Sequence, residues 1–168
     1  MFRQAMRYGK YRAGVPWGMK TILAPVDFSP VSDQIVRSAT DLARAFGAKV
    51  VLLHVVQPPI VTSEYALPVE AVQETIDASE QVAKTRLAAI AATLQAAGVV
   101  SESVVRQGPP VLTILTEAEA VQADCIIMGS HGHGRIYDLL VGSTASGVMK
   151  EADCGVWVLP PAEKAALV

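Results

Sequence analysis

Cysteine, aromatic residues and long apolar runs are all scarce in this chain, and each scarcity removes a class of protein. Cys125 and Cys154 are the only thiols among 168 residues, and neither sits in CxxC or Cys/His spacing. That leaves no disulfide framework and no zinc site, and it suits a reducing compartment, so a cytoplasmic location is expected. No segment approaches the ~18 apolar residues that cross a bilayer, and the basic N-terminus lacks the apolar stretch of a signal peptide. No membrane partner is therefore expected. A composition 51% hydrophobic and 18% charged belongs with compact globular domains rather than disordered chains, and 168 residues suffice for one core.

Acidic residues are missing from the first 20 positions, which hold Arg3, Arg7, Lys10, Arg12 and Lys20. The net charge of −2 hides this asymmetry, because nine bases remain to face all sixteen acids over the rest, a balance of −7. Such a body repels a phosphate backbone, so no nucleic-acid partner is expected and any anion site must be local. Residues 1–18 show no apolar periodicity and read as an extension, 19–162 as the folded domain and 163–168 as a C-terminal tail.

From Met19 onward strands and helices alternate. Lys20–Val26 reads as a first strand. Ser29 and Pro30 read as the cap and first position of a helix, which continues through Ile35, Ala39, Leu42, Ala43 and Phe46 to Gly47. The β-branched run Lys49–Val56 reads as a strand buried on both faces. Residues 57–67, with two prolines, read as a loop. A long helix over 68–97 then carries Val72, Ile76, Val82, Leu87, Ile90 and Leu94 on its apolar face. Val99–Arg106 reads as strand three, Val111–Val121 as a helix through Leu112, Leu115 and Ala118, and Asp124–Gly129 as strand four. A helix from Ser143 to about Ala152 and a closing strand Gly155–Leu159 complete the pattern. Right-handed crossovers turn this alternation into an α/β fold, a doubly wound five-stranded parallel sheet of order 3-2-1-4-5 with helices on both faces. Ligands of such sheets sit past the carboxyl ends of the strands, where the winding reverses.

The loop after strand four is rich in glycine. Gly129 and Gly132 lack a Cβ, so their backbone can turn with positive φ and present N–H groups to an anion. Gly142 and Ser143 open a helix whose first N–H groups favour phosphate oxygens, and Ser143 and Thr144 add hydroxyls. His131, His133 and Arg135 lie in the same loop. Arg135 suits a phosphate through charge-assisted hydrogen bonds, whereas two histidines without a third ligand read as solvated polarity.

Gly129, Gly132, Gly142 and Ser143 follow the spacing Gly-x2-Gly-x9-Gly-Ser, which resembles the nucleotide-binding signature of the ATP-binding universal stress proteins. The likeness extends to MKTILAPVDFSP (19–30), VVLLHVV (50–56), ADCIIMGSHG (123–132) and VWVLP (156–160), from Met19 to about Pro161. It implies ATP as ligand, with Mg²⁺ carried on the phosphates. By position it implies Pro25 and Asp27 beside adenine and ribose, the main chain of Val55 at the adenine edge, and Gly129, Ser130, His131, Gly132, Arg135, Gly142, Ser143 and Thr144 around the phosphates. It also implies a homodimer through the apolar last strand, Val156, Trp157, Val158 and Leu159, an exposed edge of the kind that needs a partner.

The loops contain no Gly-x-x-x-x-Gly-Lys and no dedicated base or nucleophile pair for phosphoryl transfer. The expectation is a nucleotide-responsive stress or signalling module, with slow ATP hydrolysis or autophosphorylation at Ser143 or Thr144, or a dimer that binds no nucleotide, as the alternatives.

Overall fold

The computed structural model describes residues 18–57, 69–130 and 141–160. Five strands and four helices alternate: β1 Thr21–Pro25, α1 Ser32–Phe46, β2 Lys49–Val56, α2 Val69–Ala96, β3 Ser101–Gln107, α3 Pro110–Ala120, β4 Cys125–Gly129, α4 Ser143–Glu151 and β5 Gly155–Leu159. All pairings are parallel and the order is β3-β2-β1-β4-β5. The chain winds outward from β1 in one direction to β2 and β3, then crosses back to β4 and β5. The reversal lies between β1 and β4, as the alternation of elements predicts.

The central strands are apolar on both sides, and the period of two divides them between two cores. Ile22, Ala24, Val50, Leu52 and Ile127 face one layer with Ile35 and Ala39 of α1 and Leu87 and Leu94 of α2. Leu23, Val51, Leu53, Ile126 and Met128 face the other, with Ile114 and Ala118 of α3 and Ala145 and Val148 of α4. At the amino ends of the strands, Asp124 accepts the main-chain N–H groups of Lys20 at 2.7 Å and Thr21 at 3.0 Å, which ties the start of β1 to β4. Between β3 and α3, Arg106 forks onto the buried Glu117 at 2.8 and 3.4 Å.

Three local expectations are corrected. Ser29 is not the cap of α1: the helix begins at Ser32 behind Val31, and Ser29 instead lends its carbonyl to the Ser32 N–H in a preceding turn. The reason is Asp27, whose Oδ1 accepts the Ser29 N–H at 3.0 Å and the Ser32 hydroxyl at 3.2 Å, leaving Ser29 Oγ buried without a hydrogen-bond partner. Val82, Leu112 and Phe46 do not reach the core and are 59%, 62% and 53% exposed. Ile35, Ala39 and Ala43 of α1, Ile76, Leu87 and Leu94 of α2 and Ala118 of α3 are buried as expected, so the helices keep the expected phase and, of the residues expected on these faces, only those three are exposed. The glycine at 129 needs no positive φ, because it closes β4 opposite Leu159.

Candidate functional site

Three strand ends and one helix start converge where the winding reverses. β1 finishes at Pro25, paired with Leu53, and the next N–H, that of Val26, donates to the Leu53 carbonyl at 2.8 Å. β2 continues past Leu53 through His54, Val55 and Val56, paired there with β3 alone in the register. Main-chain groups alternate edges along a strand, so Val55 presents its N–H and C=O to the same side as Leu53, above the point where β1 has ended. Its half-buried side chain packs against the α3–α4 layer, so the main chain is the part of Val55 that the open end offers.

Asp27 follows directly. Its carboxylate organises the turn into α1 through Ser29 and Ser32. The neighbouring residue, Phe28, has φ of 63°, a left-handed conformation costly for a bulky side chain and found where surrounding contacts hold it. Those contacts are a stacked imidazole from His54, with centroids 4.4 Å apart at 24°, and the Arg86 guanidinium of α2, 4.2 Å from the ring centre. His54 Nδ1 also lies 2.8 Å from the Val26 carbonyl oxygen. Beside this stack, between α2 and the β1–α1 turn, runs a groove of about 800 Å³ lined by Phe28, His54, Glu74, Ser79 and Val82 among others.

Across the reversal, β4 ends at Gly129. The Ser130 N–H donates to the Leu159 carbonyl and the Ser130 carbonyl accepts the Gly142 N–H, both at 2.7 Å, so the strand end and the helix start are joined across the loop between them. α4 then starts at Ser143 with Gly142 as its N-cap, φ −57° and ψ 158°, and no side chain caps it. The first N–H groups of a helix have no partner within it, and with the helix dipole they form a ready set of donors for anionic oxygens. Ser143 is exposed, Thr144 half-buried and Ser130 buried.

Pro25, Asp27, Val55, Gly129, Ser130, Gly142, Ser143 and Thr144 thus all lie at the carboxyl ends of β1, β2 and β4 or at the start of α4. His131, Gly132 and Arg135 lie outside the described residues, as does most of the 57–67 loop. Sequence reasoning missed the stack of His54, Phe28 and Arg86. A histidine inside an apolar strand gave no sign of its partners, and Arg86 stands far along the chain on α2.

The Universal stress protein family profile matches residues 18–160. The chain belongs to the universal stress protein family. Universal stress protein MJ0531 of Methanocaldococcus jannaschii is 31% identical over 146 residues, 86% of this chain and 84% of that one. Among solved structures, hypothetical protein MJ0577, also from M. jannaschii, aligns with a TM-score of 0.75 at 28% identity, covering 84% of this chain and 96% of its own. A universal stress protein in complex with cAMP aligns with a TM-score of 0.60 at 23% identity, covering 85% and 98%. The five-stranded order of this universal stress protein is the arrangement of the family's fold.

Proposed function

We propose that this universal stress protein binds ATP and acts as a nucleotide-dependent stress-response or signalling module of the cytoplasm, with residues 19–162 as the nucleotide-binding unit. One observation carries the reading: the spacing Gly-x2-Gly-x9-Gly-Ser begins on the last residue of β4 and ends on the first residue of α4. Its glycines therefore flank a strand-to-helix connection at the switch point, the setting in which main-chain N–H groups hold phosphates.

In this reading the first turn of α4, with Ser143 and Thr144, holds the phosphates together with Gly129, Ser130, His131, Gly132, Arg135 and Gly142. Asp27 accepts hydrogen bonds from the ribose, Pro25 ends β1 beside the base, and the main chain of Val55 pairs with the adenine edge. Among the described residues no group of three His, Cys, Asp or Glu side chains could hold a metal ion. The donor set fits a Mg²⁺ that arrives on the phosphates and keeps most of its waters. The cAMP complex belongs to another protein of this fold, and it makes cAMP a natural competitor in the binding series.

Calorimetric titration with ATP, AMP and cAMP, with and without Mg²⁺, tests the reading. Binding of ATP with hydrolysis at background supports the module. Turnover with Mg²⁺ that Gly132→Val abolishes, with folding retained, replaces the module with a slow ATPase. No heat at millimolar ATP removes nucleotide binding altogether and leaves a dimeric stress protein without nucleotide.

A further inference from the structure

His54 touches the residues on both sides of Asp27. Its Nδ1 lies 2.8 Å from the carbonyl oxygen of Val26, and its ring stacks on Phe28 at 4.4 Å. A carbonyl oxygen only accepts, so the short contact requires the proton on Nδ1, in the neutral ring or in the imidazolium alike. Arg86 lies over the Phe28 ring with its Cζ 4.2 Å from the centroid, which adds cation–π attraction to the ring stacking. The left-handed φ of 63° at Phe28 relaxes unless contacts of this kind oppose it.

We infer that His54 is a positioning residue of the nucleotide site: by bonding Val26 and stacking on Phe28 it fixes the peptide on each side of Asp27, and so sets where the Asp27 carboxylate meets the ribose. The inference rests on the nucleotide reading above and adds to it a residue that acts through the turn carrying Asp27. It also ties α2 to the site, since Arg86 completes the stack. Asp27 Oδ1 is already aligned by the Ser29 N–H and the Ser32 hydroxyl, which orient the side chain, whereas His54 orients the main chain that carries it.

The test compares the wild-type protein with His54→Ala and with His54→Phe, which keeps a ring against Phe28 but loses the donor. Affinities for ATP, 2′-deoxy-ATP and 3′-deoxy-ATP are measured alongside amide exchange at Ser29, whose N–H reports the Asp27 turn without any ligand. A carboxylate bond to a ribose hydroxyl gives a preference of about tenfold for ATP over the weaker deoxy analogue. In His54→Ala that preference falls to within about twofold, Ser29 exchanges at least about tenfold faster, and the ratio of ATP to AMP affinity is unchanged. In His54→Phe both effects are intermediate. A wild-type preference retained in His54→Ala overturns the inference, whether or not Ser29 exchange has changed. If the wild-type protein binds no adenine nucleotide, the nucleotide reading fails by itself, and Ser29 exchange still decides whether His54 holds the turn. Should both variants fail to fold, ¹⁵N spectra of the unmodified protein decide: a proton on Nδ1 supports the inference, and a neutral ring protonated only at Nε2 overturns it.

Discussion

The N–H of Gly142 donates to the carbonyl oxygen of Ser130 at 2.7 Å, closing the loop that separates β4 from α4. Gly142 makes this bond at φ −57° and ψ 158°, a conformation open to any residue. These backbone angles do not call for a glycine, whereas the close passage of a phosphate proposed above does.

Gly142→Ala therefore separates the two demands. The donor N–H and the backbone angles survive, so the melting temperature should stay within about 2 °C of wild type. Affinity for ATP should fall at least about tenfold, because the new methyl group occupies space at the helix start that the phosphate reading assigns to the ligand. Calorimetry and thermal melts on the same sample check both halves. Wild-type affinity in the alanine variant would remove Gly142 from the phosphate site.

The ion pair between β3 and α3 makes a prediction about stability alone. Glu117 is 5% exposed and Arg106 is its forked partner at 2.8 Å, so the two substitutions are unequal. Arg106→Ala strands a buried carboxylate, but the half-exposed guanidinium leaves room for water to replace it, so the cost should be about 1–2 kcal/mol, whereas Glu117→Leu exchanges the pair for packing and should cost under about 1 kcal/mol. Urea unfolding of both variants reads the difference. Equal losses would show that the pair is an exposed bridge of little worth.

Much of this fold is legible in the sequence, and the parts that are not share a cause. The bounds of β2 and β5 agree with expectation residue for residue, because Lys49–Val56 and Gly155–Leu159 are short apolar runs with clear stops. Helix extents are also close. Helix phase is largely legible too, since Ile35, Ala39, Ala43, Ile76, Leu87, Leu94 and Ala118 are buried as expected, whereas Val82 and Leu112 fit the apolar spacing and are nevertheless exposed, because spacing does not tell how far a covered face extends. In the candidate site, the glycine spacing stands out because local backbone chemistry marks it, whereas Asp27 is singled out by the family resemblance. The stack of His54, Phe28 and Arg86 depends on three distant elements meeting, and local pattern contains nothing of it.

Cys125 supplies a pH dependence. Burial chiefly, then the neighbouring Cys154, pushes its thiol up from 9.0 to about 11. The folded state thus holds a proton that the unfolded chain releases first. Its contribution to stability is intact below pH 9, declines from there, and is lost as pH rises through about 11. Melting temperature followed from pH 8 to 11 should fall, and Cys125→Ala should flatten that fall whatever its starting stability. Below pH 9 the native thiol should also resist alkylation that goes to completion in urea. A slope unchanged by the substitution would assign the alkaline loss to other groups.

The two edges of the sheet differ in a way that favours one of them for self-association. β3 carries Ser101, Glu102, Arg106 and Gln107 and is guarded by charge, whereas β5, Gly155–Leu159, has none. An unguarded apolar edge invites pairing with another strand. Leu159 is buried in the protein's own core, and Val156 and Val158 are half-buried against the α3–α4 layer. Substituting any of these three mixes folding with association. Trp157 points to the opposite face of the sheet and is 48% exposed, so of these four residues it is the one whose substitution disturbs folding least. The proposed homodimer through β5 then predicts that Trp157→Lys weakens dimerisation at least about a hundredfold while the monomer melts as before, the behaviour of an aromatic anchor at an interface. Sedimentation equilibrium on both proteins measures it. A wild-type protein that sediments as a monomer, or a lysine variant that dimerises undiminished, would rule out β5 as the interface.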